Sequence, residues 1–262
     1  NVVVVPELYL NALFDYPGKL PVVVFNQNGY YSFGSITRNS YWKPTAVIST
    51  YHDKRIVHVL CVSQFDQDLL INGFGLKPES VCCIRNGLEV DLCRPQGMKS
   101  RRMAAMPRKN QRDVAVVRDL LKQQPWMDHW EWVEIAGQSH HRVIEQLQSC
   151  ALFLSFGHPE GFGLPVAEAM ACGCAVVGYS GLGGRELFQL GRPYGTVQEV
   201  AVGDWLGMVR AAERIDRQLT TDPEGFSKRL LAVSKEIRRL YSPKKMLISV
   251  QSALSRIEAN LK

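Results

Sequence analysis

Two carboxylates lie eight positions apart in an otherwise apolar and glycine-rich stretch, HPEGFGLPVAEAMACG at 158–173. Glu168 is surrounded by small and apolar residues, and a buried carboxylate is costly unless it is paired. A carboxylate accepts two hydrogen bonds at the spacing of a vicinal diol, so a ribose or hexose is one candidate partner. An ion pair with Arg185 or another arginine is the alternative. Glu160, in the preceding loop, either reaches sugar hydroxyls or is a solvated charge.

Glycines accompany both carboxylates. Gly161 and Gly163 precede a predicted helix with Pro165 in its first turn, a position that suits proline. The N–H groups at such a helix start can face an anion or a hydroxyl oxygen. Gly183 and Gly184 repeat the pattern one strand later. Each loop alone is explained equally well as a tight turn that needs positive φ, but their grouping favours a ligand site.

Six basic residues form the densest positive cluster of the sequence: Lys99, Arg101, Arg102, Arg108, Lys109 and Arg112. Arg108 and Lys109 come directly after a predicted strand. Arginine offers a fork to phosphate oxygens and lysine a point charge, so the two cations could stabilise a departing diphosphate without a metal. Ordinary surface cations are the alternative. His140 and His141, at the start of a predicted helix, are interpreted as surface residues.

The elements that position these residues alternate regularly from residue 103 onward. Strands are predicted at 103–106, 133–137, 152–156 and 175–179, followed by helices near 112–123, 140–149, 164–172 and 184–190. This alternation predicts a doubly wound parallel sheet. Ligands bind such sheets at the carboxyl ends of the strands. All four loops after these strands should therefore meet at one edge.

The first 75 residues contain four further apolar runs, at 2–5, 21–25, 46–48 and 57–62. They predict part of a second α/β unit, incomplete because no helix of ordinary length separates the first strands. A turn-rich linker is predicted at 84–95, around Asn86-Gly87. The expected domains are therefore 1–85, a partial Rossmann-like unit, and 86–262, a Rossmann-like unit followed by helices.

Composition narrows the class of protein. The chain has 262 residues, 46% of them hydrophobic, and no apolar run approaches the roughly 18 residues of a membrane helix. Seven cysteines lack zinc-ligand spacing, which predicts no metal and favours reduced, packed thiols in a cytoplasmic protein. The net charge of +6 favours phosphate-bearing partners or an anionic membrane surface.

The stretch from Glu160 to Pro165, with Glu168, Gly173 and the glycine loop ending at Glu186, resembles the Glu-x7-Glu signature of retaining nucleotide-sugar glycosyltransferases of the GT-B fold, family four. Val62-Ser63, Asn86-Gly87, Pro95 and the segment 107–110 also resemble landmarks of that family, in order. The resemblance implies two Rossmann-like domains, the second of which holds a nucleoside-diphosphate sugar. It further implies transfer to an acceptor hydroxyl with retention of anomeric configuration and without a metal or other cofactor.

The resemblance also implies roles for individual residues. Glu168 would bind the ribose, the 161–163 amides and Glu160 the donor sugar, and Arg108 with a nearby lysine the diphosphate. Further donor-binding positions would be Phe162, Leu164, Gly183 and Gly184. The family's lysine usually follows the arginine by about five positions, whereas Lys109 is adjacent and Arg112 is the next cation, so either could fill that role. In the first domain, Asn26-Gln27-Asn28 stand where the family usually has His-Asp.

We therefore expect a glycosyltransferase of polysaccharide or glycolipid synthesis. Its partners would be a nucleotide-sugar donor and a saccharide or lipid-linked acceptor, with no nucleic acid. Peripheral association with the anionic inner face of a membrane is a further expectation. A non-catalytic nucleotide-sugar-binding module and a sugar-nucleotide epimerase of the same fold are the alternatives.

Overall fold

The computed structural model describes residues 1–10, 13, 18–34 and 43–261. They form two compact units, unit 1 with residues 1–86 and 244–262 and unit 2 with residues 87–243. This division differs from the expected domains, because the last helix belongs to unit 1. There the Oγ of Ser249 accepts a hydrogen bond from the backbone N–H of Arg85 at 3.0 Å. Near the end of the same helix, the side-chain amide of Asn260 donates to the carbonyl of Val57 at 3.2 Å.

Unit 1 contains a parallel sheet in the order β1-β2-β3-β4. Its described strands and helices are β1 (Val3–Pro6), β2 (Val22–Asn26), α1 (Pro44–Tyr51), β3 (Ile56–Cys61), α2 (Gln64–Asp68), β4 (Val81–Cys83) and, from the end of the chain, α9 (Pro243–Asn260). The apolar run at 46–48 lies in helix α1, which begins at a proline. An α/β unit is therefore present, with one predicted apolar run in a helix.

Unit 2 contains the second parallel sheet, in the order β6-β5-β7-β8-β9. Its strands are β5 (Ser100–Ala105), β6 (Glu131–Glu134), β7 (Cys150–Ser155), β8 (Ala175–Gly178) and β9 (Val197–Glu199). Its helices are α3 (Gln111–Leu121), α4 (His140–Ser149), α5 (Leu164–Ala171), α6 (Arg185–Gly191), α7 (Trp205–Thr221) and α8 (Pro223–Leu240). The predicted doubly wound, Rossmann-like sheet is confirmed, with β9 as an additional short strand.

Strand β7 is the centre of this sheet. All six of its residues, Cys150–Ser155, are buried, because helices cover both faces of a parallel sheet. Its neighbours in register are also apolar: Leu154 aligns with Ala105 of β5 and with Val177 of β8. The hydrophobic sequence of β7 therefore fixes it in the middle of the sheet.

The strand order creates a crevice between β5 and β7. From β5 the chain crosses to β6 on one side, and from β6 it crosses back to β7 on the other side of β5. The loops that leave the carboxyl ends of β5 and β7 consequently run in opposite directions. In open α/β sheets, ligands bind at such a topological switch point. The segments 106–110 and 156–163 follow these two strands.

Candidate active site

A cavity of about 300 Å³ lies at this switch point. Four of the predicted site residues line it, namely Arg108, Lys109, Glu160 and Gly163. Part of its wall follows β6 and consists of Ile135, Ala136, Gly137 and Gln138. Residues from the loops after β5, β6 and β7 therefore meet in one cavity, because each of these loops follows a strand of the same parallel sheet.

Asn110 fastens the two loops together. It adopts a left-handed backbone conformation with φ of 54°, which asparagine tolerates better than most residues. Its side-chain amide donates to the carbonyl oxygens of Phe156 at 2.6 Å and His158 at 3.2 Å. Lys109 adds a hydrogen bond from Nζ to the carbonyl of Pro159 at 2.6 Å. These bonds hold the loop after β5 against the loop after β7.

Arg108 and Lys109 are adjacent in sequence, but they differ in whether they have a charged partner. Lys109 Nζ lies 2.9 Å from Glu160 Oε1, and both side chains are about one-fifth exposed. Arg108 has no hydrogen-bonded or ion-paired partner among the residues that the structure describes. Arg112 does not line the cavity and lies over the ring of Trp205, 5.8 Å from its centroid. Arg108 is therefore the cation that is available to an incoming anion.

Glu168 lies one turn inside α5, where only 14% of its side chain is exposed. Its Oε1 is 2.9 Å from Nε2 of His140, the first residue of α4. Burial raises the pKa of Glu168, and the hydrogen bond with His140 opposes this shift. The partner is thus a histidine and not the arginine considered as the alternative. Glu168 lies outside the lining of the cavity.

His140 lies at the surface and at the start of a helix, as predicted, but it also makes a contact with Glu168 that was not predicted. The side chain is 45% exposed, but it contacts the largely buried Glu168 on one side and Glu89 on the other, with Nδ1 3.7 Å from Glu89 Oε1. His141 matches the surface interpretation: it is exposed, and among the described residues its ion-pair partner is Glu145 of the same helix, at 3.3 Å. The sequence around these two neighbouring histidines could not distinguish them, because Glu168, the partner of His140, lies 28 positions away.

The turn that precedes α5 presents backbone donors. The N–H groups of Gly161, Phe162, Gly163 and Leu164 donate no hydrogen bond within the described part of the chain. Gly163 has φ of 88°, a conformation that favours glycine. The ring of Phe162 is buried 5.0 Å from that of Tyr241, whereas Leu164 is exposed. Phe162 therefore anchors the turn, and the neighbouring amides remain free to bind a ligand.

Gly183 and Gly184 do not repeat this arrangement. The N–H of Gly183 donates to the carbonyl of Glu160 at 3.1 Å, and that of Gly184 to the carbonyl of Ser180 at 3.0 Å. A side chain at position 183 would collide with Gly161. The expectation that both amides face a ligand is therefore wrong: these glycines allow two backbone segments to pack closely, and support the turn at 160–163 from behind.

The basic cluster is also divided by the fold. Lys99 donates to the carbonyl of Leu147 at 2.8 Å, Arg101 pairs with Asp216, and Arg102 pairs with Glu131 at 2.9 Å. These three residues precede or begin β5, whereas Arg108 and Lys109 follow its carboxyl end. Only the second pair is at the cavity. These charges are close in sequence, but they lie at opposite ends of strand β5 and are therefore apart in space.

Asn110 and Tyr241 were not identified from the sequence. Tyr241 packs on Phe162, and its hydroxyl donates to Glu186 at 2.7 Å. An asparagine after a strand was a usable indication of a left-handed turn, but nothing near Tyr241 in sequence points to the turn at 160–163. Among the described residues, no group of three or more His, Cys, Asp or Glu side chains is arranged to hold a metal ion.

Part of the chain is similar in sequence to known proteins. Residues 128–201 match the family described as glycosyl transferases group 1. A similar protein is the alpha-1,6-glucosyltransferase of Actinobacillus pleuropneumoniae serotype 7, which is 36% identical over 76 residues. That segment covers 29% of this chain and 21% of the relative. The family match includes the loops after β6 and β7 that line the cavity but not the loop after β5, and neither match extends over the whole chain.

Solved structures extend the likeness to almost the entire fold. S. aureus TarM, in complex with Fondaparinux, alpha-GlcNAc-glycerol and UDP, superposes with a TM-score of 0.72 at 13% identity, over 97% of this chain and 55% of TarM. Anabaena HepE in complex with UDP-glucose gives 0.68 at 14% identity, over 98% of this chain and 78% of HepE. This chain thus spans about half the length of TarM. Residues 128–201 match a glycosyl transferases group 1 domain, within a chain that has the fold of the GT-B glycosyltransferases.

Proposed function

We propose that this chain transfers a sugar from a nucleoside-diphosphate sugar to the hydroxyl group of an acceptor. The observation that carries the proposal is the cavity at the β5/β7 switch point, which is lined by Arg108 and Gly163, whose guanidinium and backbone N–H have no hydrogen-bond partner among the described residues. A diphosphate and a sugar need these two kinds of group side by side. The family match over residues 128–201 supports the same activity.

In this proposal each residue of the cavity has one task. Arg108 neutralises the diphosphate as negative charge develops on it, which lowers the barrier to its departure. The amides of 161–164 and Glu160 bind the donor sugar, while Lys109 balances the charge of Glu160. Glu168 accepts hydrogen bonds from the ribose. The reaction retains the anomeric configuration and uses no metal, and the departing diphosphate helps to remove the proton of the acceptor hydroxyl.

The wall formed by residues 135–138 supports a subsite for the nucleobase. It lies beside the cavity at the carboxyl end of β6, next to the diphosphate position proposed for Arg108. TarM and HepE were both crystallised with uridine nucleotides. We propose a uridine nucleotide as the first donor to test, with a hexose as the sugar and a saccharide or lipid-linked acceptor.

The decisive experiment is a calorimetric screen of nucleoside-diphosphate sugars against the wild type and Glu168→Ala. We expect one donor to bind in the micromolar range and to bind at least tenfold more weakly to the variant, a loss of about 1.4 kcal/mol, as expected for a hydrogen bond to a charged group. Glu145→Ala, on the exposed face of α4, is the matched control. If no donor binds the wild type, the proposal is wrong.

A second measurement separates an enzyme from a binding module. With the donor identified, release of free nucleotide is followed in the presence of mono- and oligosaccharide acceptors, and the anomeric configuration of the product is read by NMR. Sugar transfer with retention supports the proposal. Saturable binding with neither transfer nor hydrolysis would instead indicate a non-catalytic module, and an epimerised free sugar would indicate an epimerase.

Peripheral binding to an anionic membrane is part of the proposal for polysaccharide or glycolipid synthesis. Its support is helix α9, which exposes Leu247, Ile248 and Leu254 and carries Lys244 near its start. No helix in the described ranges combines the length and apolarity needed to cross a membrane. Cosedimentation with phosphatidylglycerol vesicles, but not with phosphatidylcholine vesicles, is expected. Equal partitioning into both would contradict an electrostatic contribution.

A further inference from the structure

His140 connects the proposed ribose-binding carboxylate to a second carboxylate on the other side of its ring. Nε2 lies 2.9 Å from Glu168 Oε1, and Nδ1 lies 3.7 Å from Glu89 Oε1. An imidazolium donates from both nitrogens, whereas a neutral ring donates from one and turns a lone pair toward the other carboxylate. His140 thus lies between two carboxylates, with that of Glu168 at hydrogen-bond distance. His140 belongs to α4 and Glu168 to α5, so the contact joins two helices.

The contact determines what Glu168 can still offer a ligand. Within the part of the chain that is described, His140 is the hydrogen-bond partner of Oε1, and Oε2 has none. A carboxylate oxygen with a fixed partner leaves the second oxygen in a defined direction, with its lone pairs available. Without such a partner, a carboxylate this buried would favour its neutral, protonated form or turn toward solvent. A protonated acid no longer accepts two hydrogen bonds from a diol.

We propose that His140 is a positioning residue, which keeps Glu168 ionised and aims its free oxygen at the ribose hydroxyls of the donor. The inference rests on the proposed function, since it needs Glu168 to bind ribose. It goes beyond that function by adding a histidine that acts on the donor through Glu168. The exposed Glu89 lies on the side of the ring opposite to Glu168, 3.7 Å from Nδ1.

The test compares ligands with and without the ribose diol. UDP, ADP, GDP and CDP are each titrated into the wild type beside their 2′,3′-dideoxy counterparts, and the tightest pair is carried forward. We expect His140→Ala to weaken the ribonucleotide about tenfold and the dideoxynucleotide less than twofold, since a charge-assisted hydrogen bond to Glu168 matters only when the diol is present. His140→Gln, which retains an N–H donor, should recover most of the affinity.

His141→Ala is the matched control, because His141 lies next in sequence and its ion-pair partner among the described residues, Glu145, belongs to its own helix. It should change neither affinity, and thermal melting should show that every variant is folded. The double variant His140→Ala with Glu168→Ala should bind no more weakly than Glu168→Ala alone, because one residue acts through the other.

Each of the following results would overturn the inference. Equal losses for both nucleotides in His140→Ala would mean a merely structural role, and an unchanged or higher ribonucleotide affinity would mean that His140 does not position Glu168. If none of the four nucleotides binds the wild type, the proposed donor site is wrong. If Glu168→Ala discriminates the two ligands as well as the wild type does, the ribose assignment in the proposed function fails. If Glu168→Ala loses this discrimination and His140→Ala keeps it, only the present inference fails.

Discussion

At the scale of single residues, the site is decided by which charges are already paired. Lys109 and Glu160 neutralise each other at 2.9 Å, and Glu168 is held by His140. Arg108 lines the same cavity without a partner among the described residues. A guanidinium that has no internal carboxylate partner keeps its donors available for a phosphate oxygen.

Arg108→Ala should therefore weaken a nucleoside diphosphate more than the bare nucleoside. We expect UDP to bind about 10- to 100-fold more weakly, corresponding to about 1.5–3 kcal/mol for hydrogen bonds to a charged group. Uridine should be affected less than about twofold, because it lacks the diphosphate. Calorimetric titration of both ligands measures this difference. Arg112→Ala, whose side chain lies over Trp205, is the control, and equal losses for UDP and uridine would contradict the assignment.

Glu168→Gln should make the fold more stable at neutral pH. Burial raises the pKa of Glu168 above its ordinary value of 4.5, so ionisation of this carboxyl is less favourable in the folded than in the unfolded state. The wild type loses stability as the pH rises through this raised pKa, and the glutamine variant does not. The gain should vanish below about pH 4, where the carboxyl is protonated in the folded and unfolded states alike.

Urea unfolding of Glu168→Gln at pH 4 and pH 7.5 measures this gain. Glu145→Gln serves as the control, because it removes an exposed carboxylate from α4. A variant that is less stable than the wild type at pH 7.5 would show that the ion pair with His140 outweighs the cost of burial.

At the scale of elements, the site depends on how closely three loops approach one another. Glu160 and Leu182 form a parallel β-bridge, and the N–H of Glu160 donates to the carbonyl of Gly181 at 2.8 Å. Asn110 connects the loop after β5 to the same region. The loops after β5, β7 and β8 are therefore one hydrogen-bonded body, which pre-organises the cavity and reduces the ordering cost of binding.

Gly183→Ala should break this body. Its Cβ would fall far inside contact distance of the Gly161 carbonyl, a backbone atom that cannot rotate away. We expect a loss of about 2–3 kcal/mol in unfolding free energy and weaker donor binding. Gly203→Ala is the control: it has φ of 83° but open space around it, so it should cost only about 1 kcal/mol for backbone strain. Equal losses in the two variants would contradict the collision.

At the scale of the whole molecule, neither unit depends on disulfides. All seven cysteines are free, and six of them are buried. Burial is the main cause that raises the pKa of Cys150, to about 12, so little reactive thiolate exists at that site at neutral pH. Packed thiols of this kind act as small apolar residues in the cores of both units.

A thiol count with Ellman's reagent should reflect this burial. In the folded protein only the half-buried Cys83 is expected to react within minutes, whereas all seven cysteines should react in guanidinium chloride. A reductant should leave the melting temperature unchanged. Fewer than seven thiols in the denatured, unreduced protein would reveal a disulfide and contradict this account.

The amino-acid sequence by itself determined the strand and helix alternation of unit 2, the common edge of its loops, and the residues Arg108, Lys109, Glu160 and Gly163 that line the cavity. These follow from periodicity and from the rule that parallel strands present their carboxyl ends together, which are local properties of the chain. Only the tertiary structure decided which charges pair. The contacts of Glu168 with His140, and of Gly183 with Glu160, join residues more than 20 positions apart, and the partner of a buried group is fixed by packing between elements rather than by its neighbours in sequence.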